Sequence, residues 1–533
     1  MSAATSVPPT EPSTLSALVH RAAAQRPGAT AVIDGPQRLT WAQLARAVDE
    51  AAAALAGFGY ARGDRIALQA PTSADFVTVY LGALRAGLVL VPVNPAYTVA
   101  ELRHILADSG ARMLITDSVA AIESASELTG ELPALTDVVV VAPDAPEGTR
   151  TLAGLLASGR GAPPVSRDLS GDELAVLLYT SGTSGRPKGA MLSVAALLAN
   201  LRQFGRLEPA PVSAEDRLFL PLPLFHVFGL NAGLGLALYY GATVVLAARF
   251  DAAWMLDTIA AEQVSVVIGA PLEFAVWAAQ PSFTESFSSV RYALSGSAPL
   301  LPELVSRYAE VGVGLFEGYG LTEASPVISV NLVPSAQDPR GWLEPKAGSI
   351  GRPLPGVEVR LTDADGEPVE PGDLGTVEVR GANLFSGYWP DGRDGPDADG
   401  WFATGDLAVA DDDGDLYLVG RRNDLILVNG FNVYPAEVEA VLQRSPGVRE
   451  VAVLGLAGAD GTEEVVAYVV IEPGTQLDPE ELLEQAAGSL ARFKLPRRVI
   501  EVDALPHTAT GKVMKWRLRS ASGGAGKPEV PGR

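Results

Sequence analysis

Short apolar runs alternate with amphipathic or alanine-rich runs from residue 15 to residue 294, and no other feature restricts the fold so strongly. The pattern predicts helices over 15–25, 40–58, 73–86 and 99–109, and strands over 29–34, 64–69, 88–93 and 111–116. Thr40 is placed to cap the second helix. The rhythm returns as strand 243–247, helix 255–263, strand 264–268 and strand 290–294. Strands spaced this way pair in parallel, because a parallel neighbour needs a crossover long enough to hold a helix. The expected fold class is α/β: a large N-terminal domain of parallel-sheet αβ layers. After about Pro345 the texture changes. Short strands at 357–362, 375–380 and 416–419 are separated by Asp/Gly/Pro turns, which predicts an antiparallel β unit attached to that domain. Helix 435–444, strands 450–456 and 465–471 and helix 479–489 then predict a small α+β C-terminal domain. The expected divisions are a disordered tail over 1–14, the large domain over 15–421, the small domain over 422–519 and a disordered Gly/Pro/Ser-rich tail over 520–533.

Composition excludes several function classes. The chain has 533 residues, 40 of them basic and 63 acidic, for a net charge of −23. Nucleic-acid backbones and anionic lipid surfaces both require basic protein surface, so neither is an expected partner. Cysteine is absent, which excludes disulfides, thiolate metal sites and a cysteine nucleophile. Histidine occurs only at His20, His104, His226 and His507, without ligand-type spacing, so a zinc centre is not expected. Any catalytic metal should be a hard ion on oxygen ligands, most simply Mg²⁺. The N-terminus lacks the basic start and apolar core of a signal peptide. Residues 227–248 carry no charge and are long enough to cross a bilayer. Their glycines, Asn231 and the break at 239–242 instead predict a buried helix, a turn and a strand. A cytoplasmic protein without a transmembrane segment is therefore expected.

One loop stands out chemically. After the apolar run 174–178 come Thr180, Ser181, Gly182, Thr183, Ser184, Gly185, Arg186, Pro187, Lys188 and Gly189, and then a helix-like run over 194–204. Backbone N–H groups freed by glycine, with hydroxyls and one ammonium, can cradle a polyphosphate. An exposed Ser/Gly turn has the same composition. The spacing is not that of the Walker loop, which needs four residues between its glycines and Lys-Ser or Lys-Thr at its end. Further on, Glu317, Gly318, Tyr319, Gly320, Leu321, Thr322 and Glu323 combine glycines, an aromatic face, a hydroxyl and a carboxylate. Such a run also suits a turn with a Thr/Glu helix cap. Thr404-Gly405-Asp406 reads as a turn carrying an acid. The polar cluster Arg421-Arg422-Asn423-Asp424 lies between apolar runs, where a hinge would sit. Thr510-Gly511-Lys512 closes the series.

Singly these signals are weak, but together and in this order they resemble the adenylate-forming superfamily of acyl-CoA synthetases, luciferases and peptide-synthetase adenylation domains. The matches run from the phosphate loop to Lys512, and the N-terminal half fits the same plan. Leu222-Pro223-Leu224-Phe225-His226-Val227-Phe228-Gly229 resembles the acyl-CoA ligases, and the absence of an acid over 225–232 disfavours an amino-acid substrate. The resemblance implies a carboxylic acid, ATP and CoA as small-molecule partners, Mg²⁺ as cofactor, a mobile small domain and a homodimer. Its leading substrate is a medium- or long-chain fatty acid. An aryl or alicyclic acid, or transfer to a carrier protein, is the alternative. By the same resemblance Thr180–Lys188 would hold phosphates, and Gly296, Ser297, Ala298, Glu317, Gly318, Tyr319 and Gly320 would line the adenine pocket. Thr322 would contact the α-phosphate, Glu323 would hold Mg²⁺, and Asp406 and Arg421 would fix the ribose. Lys512 would bridge the reacting oxygens and His226 would sit beside the acid. Asn423 takes the hinge position, and Asn429, Gly430 and Phe431 belong to a CoA tunnel. Three departures stand out: Asn423 where Lys or Asp is common, Ser297 where glycine is common, and Glu273 at a position often apolar, read here as facing solvent.

Overall fold

The structure is a computed structural model that describes residues 12–141, 148–180, 187–337, 341–428, 431–457, 463–475, 478–508 and 511–521. Of the expected site residues, Ser181, Gly182, Thr183, Ser184, Gly185, Asn429 and Gly430 lie outside the described residues, as do most of the two tails. The chain forms two compact units. The first runs up to Glu358 and takes in Arg380–Phe402; the second comprises Val359–Val379 and the chain from Ala403 onward.

In the first unit the strand–helix rhythm divides between two sheets rather than building one. A seven-stranded sheet has the order Arg150–Thr151, Asp137–Val140, Met113–Thr116, Arg65–Gln69, Val89–Pro92, Leu174–Thr180, Lys188–Ser193. Its neighbours are parallel except for the last pair. A nine-stranded sheet has a parallel centre of Thr243–Leu246, Arg217–Leu220, Val266–Gly269, Tyr292–Ser295 and Gly314–Gly320, with antiparallel strands at both edges. The sorting is visible at Thr30–Asp34, which pairs with Thr243–Leu246, some two hundred residues on, instead of with Arg65–Gln69. Its other edge takes Gln37–Thr40, a strand too polar to be read from the sequence.

Local chemistry accounts for the helix ends. Thr14, Thr40, Ser73, Thr98 and Ser193 each accept from a backbone N–H in the first turn of the following helix, and Thr40 and Thr98 complete capping boxes with Gln43 and Glu101. The cover of the nine-stranded sheet is aromatic. Phe274, Trp277, Phe283, Phe287 and Tyr308 pack edge-on around one another, nearly inaccessible to solvent. The uncharged stretch 227–248 forms a π-helix, Phe228–Gly235, then a short helix Leu236–Tyr240, a left-handed Gly241 and the strand Thr243–Leu246. Among the described residues no helix is long and apolar enough to cross a membrane.

A four-stranded sheet, Val357–Thr362, Leu374–Gly381, Trp401–Ala410 and Leu416–Arg421, has most of its residues in the second unit. A three-stranded sheet follows, in which Val448–Ala457 and Glu463–Ile471 are antiparallel and Arg498–Glu501 adds in parallel. Helices Pro435–Leu442 and Pro479–Ala487 bury Val438, Leu442, Leu482 and Ala486 in the core of that sheet.

Candidate active site

The strands on either side of the phosphate-type loop, Leu174–Thr180 and Lys188–Ser193, pair antiparallel. The helix Val194–Gly205 starts only after the second strand. Register places Thr180 opposite Lys188 at the loop's mouth. One step further in, a Cβ on Gly189 would approach the end of the Leu177 side chain to 2.8 Å. Lys188 is half exposed. Its Nζ donates to Asp394 at 3.0 Å and lies 5.1 Å from the Tyr388 ring centre.

Tyr388 is a residue that the sequence reading missed. Its segment adds to the hairpin edge through Met191 N–H to Gly387 C=O and Trp389 N–H to Gly189 C=O. The Tyr388 hydroxyl then donates to Glu323 Oε1 at 2.5 Å. Tyr388 therefore connects the lysine of the loop with the carboxylate of the 317–323 run. The signal that could have found it is a lone Gly387-Tyr388-Trp389, which carries no chemistry until its neighbours are known.

The run 317–323 is not the turn that its composition suggested. Gly314–Gly320 is the last parallel strand of the nine-stranded sheet, and its end also pairs antiparallel with Val327–Val330. Thr322 and Glu323 begin the 3-10 turn Thr322–Ala324 between them. Glu317 is buried. Burial pushes its carboxyl up to about 8, against a hydrogen bond from the Leu300 N–H, so it is largely neutral at pH 7. Tyr319 is buried in the same strand.

Gly296 and Ala298 follow the neighbouring strand Tyr292–Ser295. A Cβ on Gly296 would lie 2.8 Å from Cζ of Phe228, so the phenyl ring packs directly on its backbone. His226 precedes that ring by two residues and its Nδ1 accepts from the Phe228 N–H at 3.4 Å. Ser297 is exposed and holds φ at +74°, a left-handed conformation that favours glycine. The departure at Ser297 thus carries backbone strain. Ser297→Gly is expected to stabilise the first unit by about 0.5–1 kcal/mol in urea denaturation. Glu273 does not simply face solvent. It is half-buried, Oε2 accepts from the Ala270 N–H at 2.7 Å at the start of helix Pro271–Ala278, and burial pushes its carboxyl up to about 7.

The second unit, taken by itself, holds Asp406, Arg421 and Lys512. Thr404-Gly405-Asp406 lies inside the ten-residue strand Trp401–Ala410, not in a turn. Gly405 has φ +76° and the ladder slips by one residue just after Leu407. Such a bulge re-aims side chains. Asp406 and Arg421 are direct cross-strand partners, and Arg421 Nε donates to Asp406 Oδ1 at 2.9 Å. The aspartate is buried while the arginine is half exposed. Lys512 follows the left-handed Gly511. Although the residue keeps exposed surface, desolvation of its ammonium, then the positive charge of Arg421, push it down to about 8. Asp406 and Asp424 pull the other way. Asn423 lies in the 3-10 turn Arg422–Asp424 directly after this strand pair, and Phe431 starts the strand Phe431–Val433.

Comparison with known proteins places these arrangements. The AMP-binding enzyme family model matches residues 19–389, and the model for the AMP-binding enzyme C-terminal domain matches 437–512. A feruloyl-CoA synthase from Amycolatopsis sp is 37% identical over 518 residues, 94% of this chain and 98% of that protein. An indoleacetate–CoA ligase from Aromatoleum aromaticum is 36% identical, covering 95% of this chain and 97% of its own. The crystal structure of the anthranilate CoA ligase AuaEII in complex with anthranoyl-AMP superposes with a TM-score of 0.86 at 29% identity, over 96% and 97% of the two chains. The chain belongs to the AMP-binding enzymes of the adenylate-forming superfamily, and it is an ATP-dependent, AMP-forming acid–thiol ligase.

Proposed function

We propose that the acid is aromatic or aryl-alkyl, and that the chain activates it as its adenylate before passing it to CoA. A carboxylate is a poor electrophile. Its attack on the α-phosphate of ATP expels pyrophosphate and leaves a mixed anhydride, and the CoA thiol then displaces AMP. The first step brings an anion to a polyanion, so positioning and charge neutralisation dominate catalysis. On this reading Thr180, Lys188 and the loop between them hold the β- and γ-phosphates, and Thr322 contacts the α-phosphate. Gly296, Ser297, Ala298 and the strand Glu317, Gly318, Tyr319, Gly320 line the adenine site, where a neutral Glu317 avoids setting a negative charge against the nucleotide. Asp406 accepts from the ribose hydroxyls, with Arg421 fixing its rotamer. Lys512 neutralises the charge that develops between carboxylate and α-phosphate. His226 flanks the acid. The small domain, 422–519, turns about Asn423 between the two steps, and Asn429, Gly430 and Phe431 then line the path of CoA.

The donor set fits Mg²⁺. Such sites use one or two carboxylates completed by phosphate oxygens, and Glu323 offers one carboxylate, oriented by the Tyr388 hydroxyl. When bound, the ion neutralises phosphate charge and aligns the leaving group.

The aryl reading is supported chiefly by the names of the full-length relatives, which act on feruloyl and indoleacetate groups, and it gains from the Phe228 ring seated on Gly296 beside His226. A flat ring is well received by an aromatic wall. The resemblance of 222–229 to fatty-acyl ligases favours the medium- or long-chain acid as the competing class. A panel from acetate to palmitate, with benzoate, ferulate and indoleacetate, decides between them by CoA-dependent AMP release. Aryl acids are expected to give the highest kcat/KM; palmitate or octanoate in first place would overturn the aryl reading.

A further inference from the structure

Among the carboxamides buried in the first unit are Asn200, Gln203, Asn231 and Asn383, which have no part in the chemistry above. A buried carboxamide costs stability unless its donors and acceptors are engaged, and apolar residues would fill the same space without that cost. Three of them spend their N–H groups on one short stretch of backbone. Asn383 Nδ2 donates to Ala324 C=O at 2.8 Å, Asn231 Nδ2 to Ser325 C=O at 2.7 Å and Asn200 Nδ2 to Val327 C=O at 2.7 Å. Asn200 Oδ1 also accepts from the Val327 N–H at 3.1 Å, so it engages both backbone groups of that residue. Gln203 ties two of the clamps together, accepting from Asn200 and donating to Asn383, each at 3.0 Å.

The stretch so held immediately follows Thr322 and Glu323. It includes Ser325 at φ +64°, a left-handed conformation that a serine keeps only where its surroundings impose it. The origin of the amides is the more informative point. Asn200 and Gln203 lie on the helix that continues from the strand bearing Lys188. Asn231 lies on the π-helix that follows His226. Asn383 lies five residues before Tyr388 in the same segment. The segments that adjoin Lys188, His226 and Tyr388 therefore each send an amide to the backbone that directly follows Thr322 and Glu323.

We infer that Asn200 and Asn383, linked by Gln203, and with them Asn231, are positioning residues. They fix the Thr322–Glu323 turn against the segments that follow Lys188 and His226, so that Glu323 is set for a metal-bound nucleotide before it arrives. The inference rests on the reading of Glu323 as the metal carboxylate.

The test compares Asn200→Leu, Asn383→Ala and Glu323→Gln with Tyr308→Phe, which removes a buried hydroxyl bonded to Phe274 C=O in the aromatic cover. Calorimetric titration of the resting protein with ATP, with and without Mg²⁺, gives the affinities; pyrophosphate release gives the Mg²⁺ requirement. Asn200→Leu and Asn383→Ala are expected to weaken Mg·ATP about tenfold and raise the half-saturating Mg²⁺ similarly, with metal-free ATP within about twofold. Tyr308→Phe should lower Tm and move neither. Gln203→Met, which removes only the link, should raise half-saturating Mg²⁺ about threefold and covers the case in which the stronger variants do not fold. If the amide variants lower Tm but leave the Mg²⁺ dependence at the wild-type value while Glu323→Gln shifts it, the clamp is scaffolding and the inference fails alone. If Glu323→Gln leaves it unchanged, the metal reading fails and takes the clamp with it.

Discussion

Lys512→Ala is expected to abolish pyrophosphate release, by about a thousandfold or more, while thioester formation from supplied acyl-AMP stays within about threefold of wild type. The reasoning starts from the electrostatics of the resting second unit. The Lys512 ammonium is held down to about 8 by desolvation and by Arg421. Because its folded-state value lies below that of a free lysine, the protonated form is a burden on the resting fold at and below pH 8, and stability contributed at this site rises as pH climbs from 8 towards the free-lysine value. Removing the ammonium should therefore leave Tm unchanged or raised. Loss of the first half-reaction then reports lost chemistry and not unfolding. The working form is the protonated one, so kcat/KM for ATP should be flat below pH 8 and fall as pH rises through about 8. Lys512→Arg should carry that limb beyond the accessible range, since a guanidinium stays charged. Equal loss of both half-reactions in Lys512→Ala would remove the assignment of distinct roles to the two steps.

The fold was largely legible in the chain because its signals are local. Capping threonines, alanine-rich helices and β-branched runs declare themselves within a dozen residues, as at Thr40, Thr98 and 243–247. What could not be read was partnership at a distance. Nothing near Thr30–Asp34 says that it pairs with Thr243–Leu246, and so one parallel sheet was expected where there are two. The site shows the same division. Asp406 and Arg421 were found by motif, yet their direct opposition depends on strand register, and the Thr-Gly-Asp that reads as a turn lies within a long strand. Tyr388 was missed because its value lies in touching Glu323 and the Lys188 ammonium, which are 65 and 200 positions away in the chain. The amides of the clamp were invisible for the same reason. A buried asparagine carries no motif, only partners.

Gly320 and Gly318 separate the steric part of the nucleotide site from its chemical part. Both belong to the run that reads as an adenine-pocket motif, and a motif treats them alike. Packing does not. A Cβ on Gly320 would collide with the Pro326 carbonyl oxygen, nearer than side chains ever approach backbone, whereas one on Gly318 would find its nearest neighbour, Ser329 O, at 3.6 Å. Pro326 O cannot simply retreat, because it accepts the Leu321 N–H at 3.0 Å and so closes the turn that presents Thr322 and Glu323. Gly320→Ala must push the two arms of that hairpin apart, at the point where Gly320 pairs with Val327 and Asn200 grips Val327 from behind. The expected cost is about 2–3 kcal/mol in denaturant unfolding, as for overpacking elsewhere. Pyrophosphate release should fall by about a hundredfold, the penalty for misplacing reacting groups by an ångström. Gly318→Ala should stay within about 1 kcal/mol of wild-type stability. Were Gly320→Ala as stable and as active as wild type, the turn would not be held as described, and the rigidity that both Glu323 and the clamp depend on would be lost with it.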